Sequence, residues 1–244
     1  MLENLSLSTY LLENPILTLT FIAHFLADFQ WQSQSLADKK VYSKAALNQH
    51  LVIVAIPLLI CLLIDSSAWN FLSLALFSHI LIDYAKFYLA PIISAQDKDK
   101  YIFLIDQLLH YTAIVASYNL LKPATSDWLE SNSQLIQIAL FLLLITKPVN
   151  IAFKLFFSKY QVQTASEEED ETIVGAGALI GNLERLTMGI LLILGQFAAI
   201  ALVFTAKSIA RYDKISKNQA FAEYYLIGSL FSIISVLIIY FLFS

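Results

Sequence analysis

Residues 45–64 read AALNQHLVIVAIPLLICLLI. The stretch carries no Asp, Glu, Lys or Arg, and a bilayer core of roughly 30 Å takes about 20 mostly apolar residues per helical crossing. It therefore reads as a membrane span that holds a single imidazole, His50. Runs of the same kind lie near residues 11–31, 68–93, 101–122, 133–157, 184–206 and 222–243. The expected fold is thus an all-α, polytopic transmembrane bundle of about seven spans.

Composition points the same way. The 244 residues are 58% hydrophobic and 14% charged, with a mean hydropathy of +0.68, whereas soluble domains carry about a quarter charged residues. Six glycines, five prolines and runs far longer than barrel strands favour helices over a β-barrel. The one cysteine, Cys61, lies inside an apolar run and can form no intrachain disulfide. The start, MLENLSLSTYLLENPIL, lacks the basic region of a cleaved signal peptide, so the first span is expected to stay as a signal anchor. A net charge of −4, drawn largely from Glu167 to Glu171, argues against nucleic acid as a partner.

That acidic run divides the chain. Residues 159–172 form the one long polar stretch, expected as a linker between a five-span module, 1–158, and a two-span module, 173–244. The loops after the first, third and fifth spans carry Lys39, Lys40, Lys44, Lys98, Lys100, Lys154 and Lys159, the second loop none and the fourth only Lys122. The positive-inside rule then places the N-terminus outside. Lys207, Arg211, Lys214 and Lys217 conflict with that orientation, unless they are partly buried or 173–206 or 133–157 does not cross as a single span.

The chemistry-bearing residues concentrate in the first module. His24 and Asp28 lie in AHFLADFQ, His79 and Asp83 in SHILIDYAK, Asp106 and His110 in IDQLLHY, and His50 stands without an acid at that spacing. Residues four apart on a helix share a face, so each pair offers nitrogen and oxygen to one ion. In an alternating bundle all seven fall at one depth near one membrane face. A lone buried His or Asp is ordinarily an interhelical hydrogen-bonding group. Three pairs at matched depth are harder to explain that way, because each charge at the membrane centre costs at least about 2.5–3.5 kcal/mol on insertion scales.

The reading is a metal site, with a structural polar network or proton relay as the alternative. Imidazoles and carboxylates suit a divalent transition metal, zinc first and manganese or iron next, and the surplus of ligands allows two ions. Candidate ligands are His24, Asp28, His50, His79, Asp83, Asp106 and His110, with Asp28, Asp83 and Asp106 also candidate catalytic groups. Gln30, Lys86 and Gln107 flank them as substrate or supporting residues, as do Asn48 and Gln49. Lys39, Lys40 and Lys44 either hold an anionic headgroup or set topology. In the second module GALIGNLER, 177–185, spaces Gly177 and Gly181 for close helix packing and ends in Glu184 and Arg185, candidate substrate or partner residues expected to pair with Lys207, Arg211 or Glu223.

HFLADFQWQ, the isolated His50, SHILIDYAKFY and DQLLHY, followed by GALIGNLER, K-S-I-A-R and AEYYLIGSLFS, resemble an uncharacterised bacterial family of multi-pass membrane proteins, a domain of unknown function. The likeness implies a multi-pass protein of the inner (plasma) membrane and brings no activity with it. A weaker likeness, through scattered His and Asp in apolar helices, is to membrane-bound metal-dependent hydrolases, though the chain has no H-R-G-style segment. Three functions are expected in order: a metal-dependent hydrolase of a lipid or lipid-linked phosphate, a divalent-cation or proton-coupled transporter, and a non-enzymatic anchor or sensor that binds a cytosolic protein partner or forms a homo-oligomer.

Overall fold

The computed structural model describes residues 6–93, 99–161 and 175–244, and among these every regular element is helical. In chain order the α-helices are α1 (Leu7–Glu13), α2 (Pro15–Phe25), α3 (Gln34–Lys39), α4 (Lys44–Ile64), α5 (Trp69–Ile93), α6 (Asp99–Leu121), α7 (Asp127–Ser131), α8 (Ser133–Leu144), α9 (Lys147–Phe157), α10 (Ala176–Ile193), α11 (Phe197–Ala210), α12 (Tyr212–Lys217) and α13 (Gln219–Phe243). A π-helical turn, Leu26–Gln30, continues α2.

Among the described residues five stretches are long and apolar enough to cross a membrane, Lys44–Ile64, Ser66–Ala90, Ser133–Tyr160, Ala176–Ile193 and Gln219–Phe243, and the bent pair Leu7–Glu13 and Pro15–Gln30 makes a sixth if taken as one span. The expected runs 11–31, 101–122 and 184–206 depart from this pattern for separate local reasons. Near residue 14 the first run bends by 103° between α1 and the helix that starts at Pro15. Pro15 brings no N–H to the bonding of α1, and its ring pushes Asn14 out of helical geometry, to φ −127° and ψ 64°. Asn14 closes the end of α1 with its own amide, which donates to the Tyr10 carbonyl at 2.7 Å. The 101–122 run forms α6, long enough to cross, but Asp106, Gln107, His110 and Asn119 lower its hydropathy below that of the five.

The third departure is a reversal. Gly195 adopts φ +71°, a left-handed conformation that stops α10 and turns the chain. The 14-residue α11 then runs back along α10, so that Lys207 Nζ lies 2.7 Å from Glu184 Oε2. Residues 184–206 are therefore a helical hairpin and not one crossing. Lys207 thus lies beside the middle of α10, back from the Gly195 turn, and the chain after it does not continue in the direction of a single crossing.

The chain divides into two compact units, Met1–Leu143 and Leu144–Ser244. The division falls before the expected boundary at 158, because α9 packs on α10 and α13. Residues 162–174 of the expected linker, with its acidic run, lie outside the described residues.

In the first unit α2, α4, α5 and α6 pack as a bundle. Ile16, Leu17, Val54, Leu58, Cys61, Phe71, Leu72 and Ile114 fill its core toward the α4–α5 turn. That end is pinned. Asp65 accepts the Ser67 hydroxyl at 2.6 Å and the Ser126 amide at 2.7 Å, which ties the chain after α6 to the α4–α5 turn. Burial opposes ionisation of Asp65, but these hydrogen bonds outweigh it and hold the carboxyl below its ordinary value.

The second unit answers one problem with one side chain. Pro148 in the first turn of α9 has no N–H, and Val149 donates to Thr146 instead of Ile145. Arg185, 3% exposed, reaches across from α10 with Nε 2.5 Å from the Ile145 carbonyl and Nη2 3.4 Å from that of Thr146. Asn182 and Asn150 accept from the same Nη2, and Ser232 from Nη1. A Cβ at Gly181 would stand 3.2 Å from Nη1, so this glycine makes room for the guanidinium; Gly177 has nothing within 4 Å and makes no such approach. Glu184 takes the expected partner Lys207, while Arg185 pairs with carbonyl and side-chain oxygens in place of Glu223.

The hairpin has a direct consequence. In a Cys61→Ser background, single cysteines from Gly177→Cys and Ser216→Cys, both at exposed positions, should react with a membrane-impermeant maleimide from the same face. Labelling from opposite faces would restore 184–206 as a single crossing.

Candidate metal centre

His24 sits in the last turn of α2 and Asp28 in the π-helical turn beyond it; His50 lies in the second turn of α4, His79 and Asp83 near the middle of α5, and Asp106 and His110 one turn apart in α6. All seven are buried. Their four imidazoles converge: ring centroids are 4.1 Å apart for His79 and His110, 5.3 Å for His24 and His110, 5.6 Å for His24 and His79, and 5.7 Å for His50 and His79.

Two of the three i,i+4 pairs meet directly. His79 Nε2 is 3.5 Å from Asp83 Oδ2, and His110 Nε2 is 3.9 Å from Asp106 Oδ1. The first pair does not, because the backbone between its members changes winding. Trp31 N–H bonds Leu26 O, the i→i+5 pattern of a π-turn, which re-aims the side chains it contains. Asp28 thereby faces His50 and His79, at 3.6 and 3.5 Å from Oδ1. Gln107 bridges the separated pair: His24 Nε2 stands 3.2 Å from its Oε1, and its Nε2 is 3.5 Å from Asp28 Oδ2. The Tyr111 hydroxyl donates to the same Oε1 at 3.2 Å.

Asp28 Oδ1, His50 Nε2, His79 Nε2 and Asp83 Oδ2 are all buried and make no hydrogen bond among the described residues. Their nitrogen-to-oxygen separations are 3.6, 3.5, 3.1 and 3.5 Å. Buried polar atoms left unpaired cost roughly 1–3 kcal/mol each, so four pointed at one another call for an explanation. Asp28, His50 and His79 bring one ligand-type atom each within 4.8 Å of one another, and Asp83 Oδ2 joins the two imidazoles at 3.1 and 3.5 Å; ligands about 2.0–2.2 Å from one ion stand at nitrogen-to-oxygen separations of this order. Two further triplets have ligand atoms within 4.8 Å of one another, His24 with His79 and His110, and Asp83 with Asp106 and His110. Asp83 is common to two sets, its Oδ2 toward His50 and His79 and its Oδ1 3.7 Å from His110 Nε2.

Cations complete the cluster. Lys86 Nζ lies 2.7 Å from Asp106 Oδ2. Lys40, buried at the end of α3, places Nζ 3.7 Å from Asp83 Oδ1. Lys39 and Lys44 are exposed, so of the three lysines in the first loop only Lys40 turns inward. Nothing in the sequence separates Lys40 from its neighbour Lys39; the short α3 does so by its orientation. Gln30 is half-buried, and Asn48 and Gln49 are exposed, with Asn48 accepting from the Tyr84 hydroxyl. Tyr111 orders Gln107, and no acid or imidazole stands four residues from it to mark it in the sequence. Glu184 and Arg185 belong to the second unit and are engaged within it. A cavity of about 10 Å³ borders His24, His79 and His110, with Thr20 and Ser78 among its lining; it has room for about one water.

Residues 16–142 match the profile of a family described as a protein of unknown function, DUF3307. The match covers more than half of the chain. The chain belongs to this family. The DUF3307 region lies within the first unit and contains every candidate ligand, while the second unit lies wholly beyond it. No curated protein and no solved structure matches the chain.

Asp83 meets three imidazoles and an ammonium, Asp106 one of each. Removing one partner of a buried ion pair costs about 3–5 kcal/mol. Asp83→Ala should therefore lower the thermal midpoint of the detergent-purified protein further than Asp106→Ala, read by scanning fluorimetry. An equal or smaller drop for Asp83→Ala would remove it from the centre of the network.

Proposed function

We propose that the DUF3307 unit is a membrane-embedded, metal-dependent hydrolase whose substrate is a lipid or lipid-linked phosphate. The observation that carries this reading is the convergence of Asp28 Oδ1, His50 Nε2, His79 Nε2 and Asp83 Oδ2 at 3.1–3.6 Å, in ion-pair contact with one another but without a hydrogen bond among the described residues. Two imidazoles and two carboxylates suit zinc first and manganese or iron next. When bound, a divalent ion supplies Lewis acidity and makes hydroxide available near neutral pH.

The chain's own groups provide the rest. Gln107, held by Tyr111, fixes His24 through Nε2 and leaves its Nδ1 without a hydrogen-bond partner among the described residues. His24 also borders the water-sized cavity, which makes it a proton acceptor for a water held there. Lys40 and Lys86 set positive charge beside the carboxylates, on the side of the lysine-bearing loops, where an anionic headgroup would arrive. The apolar core lies to one side of the site, toward the α4–α5 turn. An apolar barrier there disfavours ion transport, whose pathways are marked by buried polar and ionisable groups. Residence in the inner membrane, with these loops toward the cytoplasm, fits the lysine distribution.

Metal analysis tests the reading. Protein purified without chelator should retain zinc, manganese or iron, and His50→Ala and Asp83→Asn should each cut that content at least tenfold while gel-filtration behaviour is kept. The retained ion should support release of phosphate or alcohol from lipid phosphoesters. Wild-type protein free of transition metal would sink the proposal.

A further inference from the structure

Asp83 Oδ1, Asp106 Oδ1 and His110 Nε2 make a second set of ligand-type atoms beside the first, with His110 Nε2 3.7 Å from one oxygen and 3.9 Å from the other. His110, 1% exposed, leaves that nitrogen without a hydrogen bond among the described residues and aims it at both carboxylates. Asp83 Oδ2 faces His50 and His79 while its Oδ1 faces His110, so this carboxylate could serve two neighbouring ions, as two-metal sites require. What sets this arrangement apart is that both carboxylates of the second set already meet an ammonium. Lys86 Nζ is 2.7 Å from Asp106 Oδ2, and Lys40 Nζ is 3.7 Å from Asp83 Oδ1.

We propose that Lys86, assisted by Lys40, stands in for a second metal ion and keeps the centre mononuclear. The proposal rests on the first set of atoms holding an ion, as argued above. Charge balance supports it. Ligating histidines are neutral, so Asp28, Asp83 and Asp106 set against Lys40 and Lys86 leave one net negative charge. One divalent ion turns that into a single positive charge, suited to an anionic substrate. Two divalent ions with both lysines in place would leave three positive charges in a buried site, where each uncompensated charge costs several kcal/mol. The second position thus offers three ligand atoms and is closed by charge. Lys86 is the residue that closes it, being in direct hydrogen-bond contact with Asp106.

The experiment counts ions. Full-length protein, purified in detergent without chelator and re-equilibrated with excess zinc or manganese before desalting, is analysed for metal per chain. Wild type should hold one ion. Lys86→Met should approach two, and so should Lys86→Gln, which keeps a donor for Asp106 Oδ2 without the charge. Lys86→Arg should stay at one. Adding Asp106→Asn to Lys86→Met should return the count to one, which places the extra ion in the second set. Two ions in wild type, or one ion in both neutral variants with circular dichroism and gel filtration unchanged, would overturn the stand-in role and leave the metal-site reading intact. No ion in wild type would overturn that reading and this one together.

Discussion

Three buried carboxylates, Asp28, Asp83 and Asp106, constrain the rest of the first unit. In an apolar bundle each charge needs a partner nearby, because neither water nor lipid can supply one. The four imidazoles and two lysines gather around them for that reason, and the helices that carry them must hold a common depth. Asp83 has the most at stake: it lies within 3.7 Å of His50, His79, His110 and Lys40. Each of these contacts reaches Asp83 from α4, α5, α6 or the end of α3. The polar cluster is therefore also what fixes the packing of those helices at that end of the bundle.

The other end is fixed by different means. Asp65 binds the Ser126 amide and the Ser67 hydroxyl, the Tyr118 hydroxyl donates to Asn14, and apolar side chains interlock between them. A bundle tied by hydrogen bonds at one end and by opposite charges at the other has little freedom to slide. Such rigidity is what a centre built from four separate helical segments requires, since coordination tolerates displacements of only a few tenths of an ångström.

Hydropathy and the i,i+4 rule made much of this readable from the residues alone. The all-helical class, His79 beside Asp83, Asp106 beside His110, and the meeting of all four imidazoles follow from apolar run length and helical period. What escaped that reasoning depends on backbone details that those two signals do not encode. The π-turn at Leu26–Gln30 separates His24 from Asp28 although their spacing equals that of the other pairs. The Gly195 reversal hides inside a run apolar enough to pass for one crossing, and the bend at Asn14–Pro15 lies within another. Lys40 and Lys39 are indistinguishable as neighbours in sequence, yet one is buried and the other exposed. In each case local winding or a short helix's tilt, which composition averages away, decides where the side chain goes.

The two units bury charge in contrasting ways, and the contrast bears on what each is for. Arg185 spends its donors on carbonyl, amide and hydroxyl oxygens, with Gly181 kept small to admit it, and its neighbours leave no acceptor of the α9 break unmet at Ile145. That is a satisfied arrangement, complete without any ligand, and it accounts for a membrane arginine by structure alone. The His/Asp cluster is the opposite case. Its acids and bases sit close enough to attract one another, yet Asp28 Oδ1, His50 Nε2, His79 Nε2 and Asp83 Oδ2 make no hydrogen bond among the described residues. A structural network relaxes toward paired donors and acceptors, as the surroundings of Arg185 do. A set of atoms that face each other at ligand spacing, in ion-pair contact yet without hydrogen bonds, is suited to a guest that bonds to all of them at once.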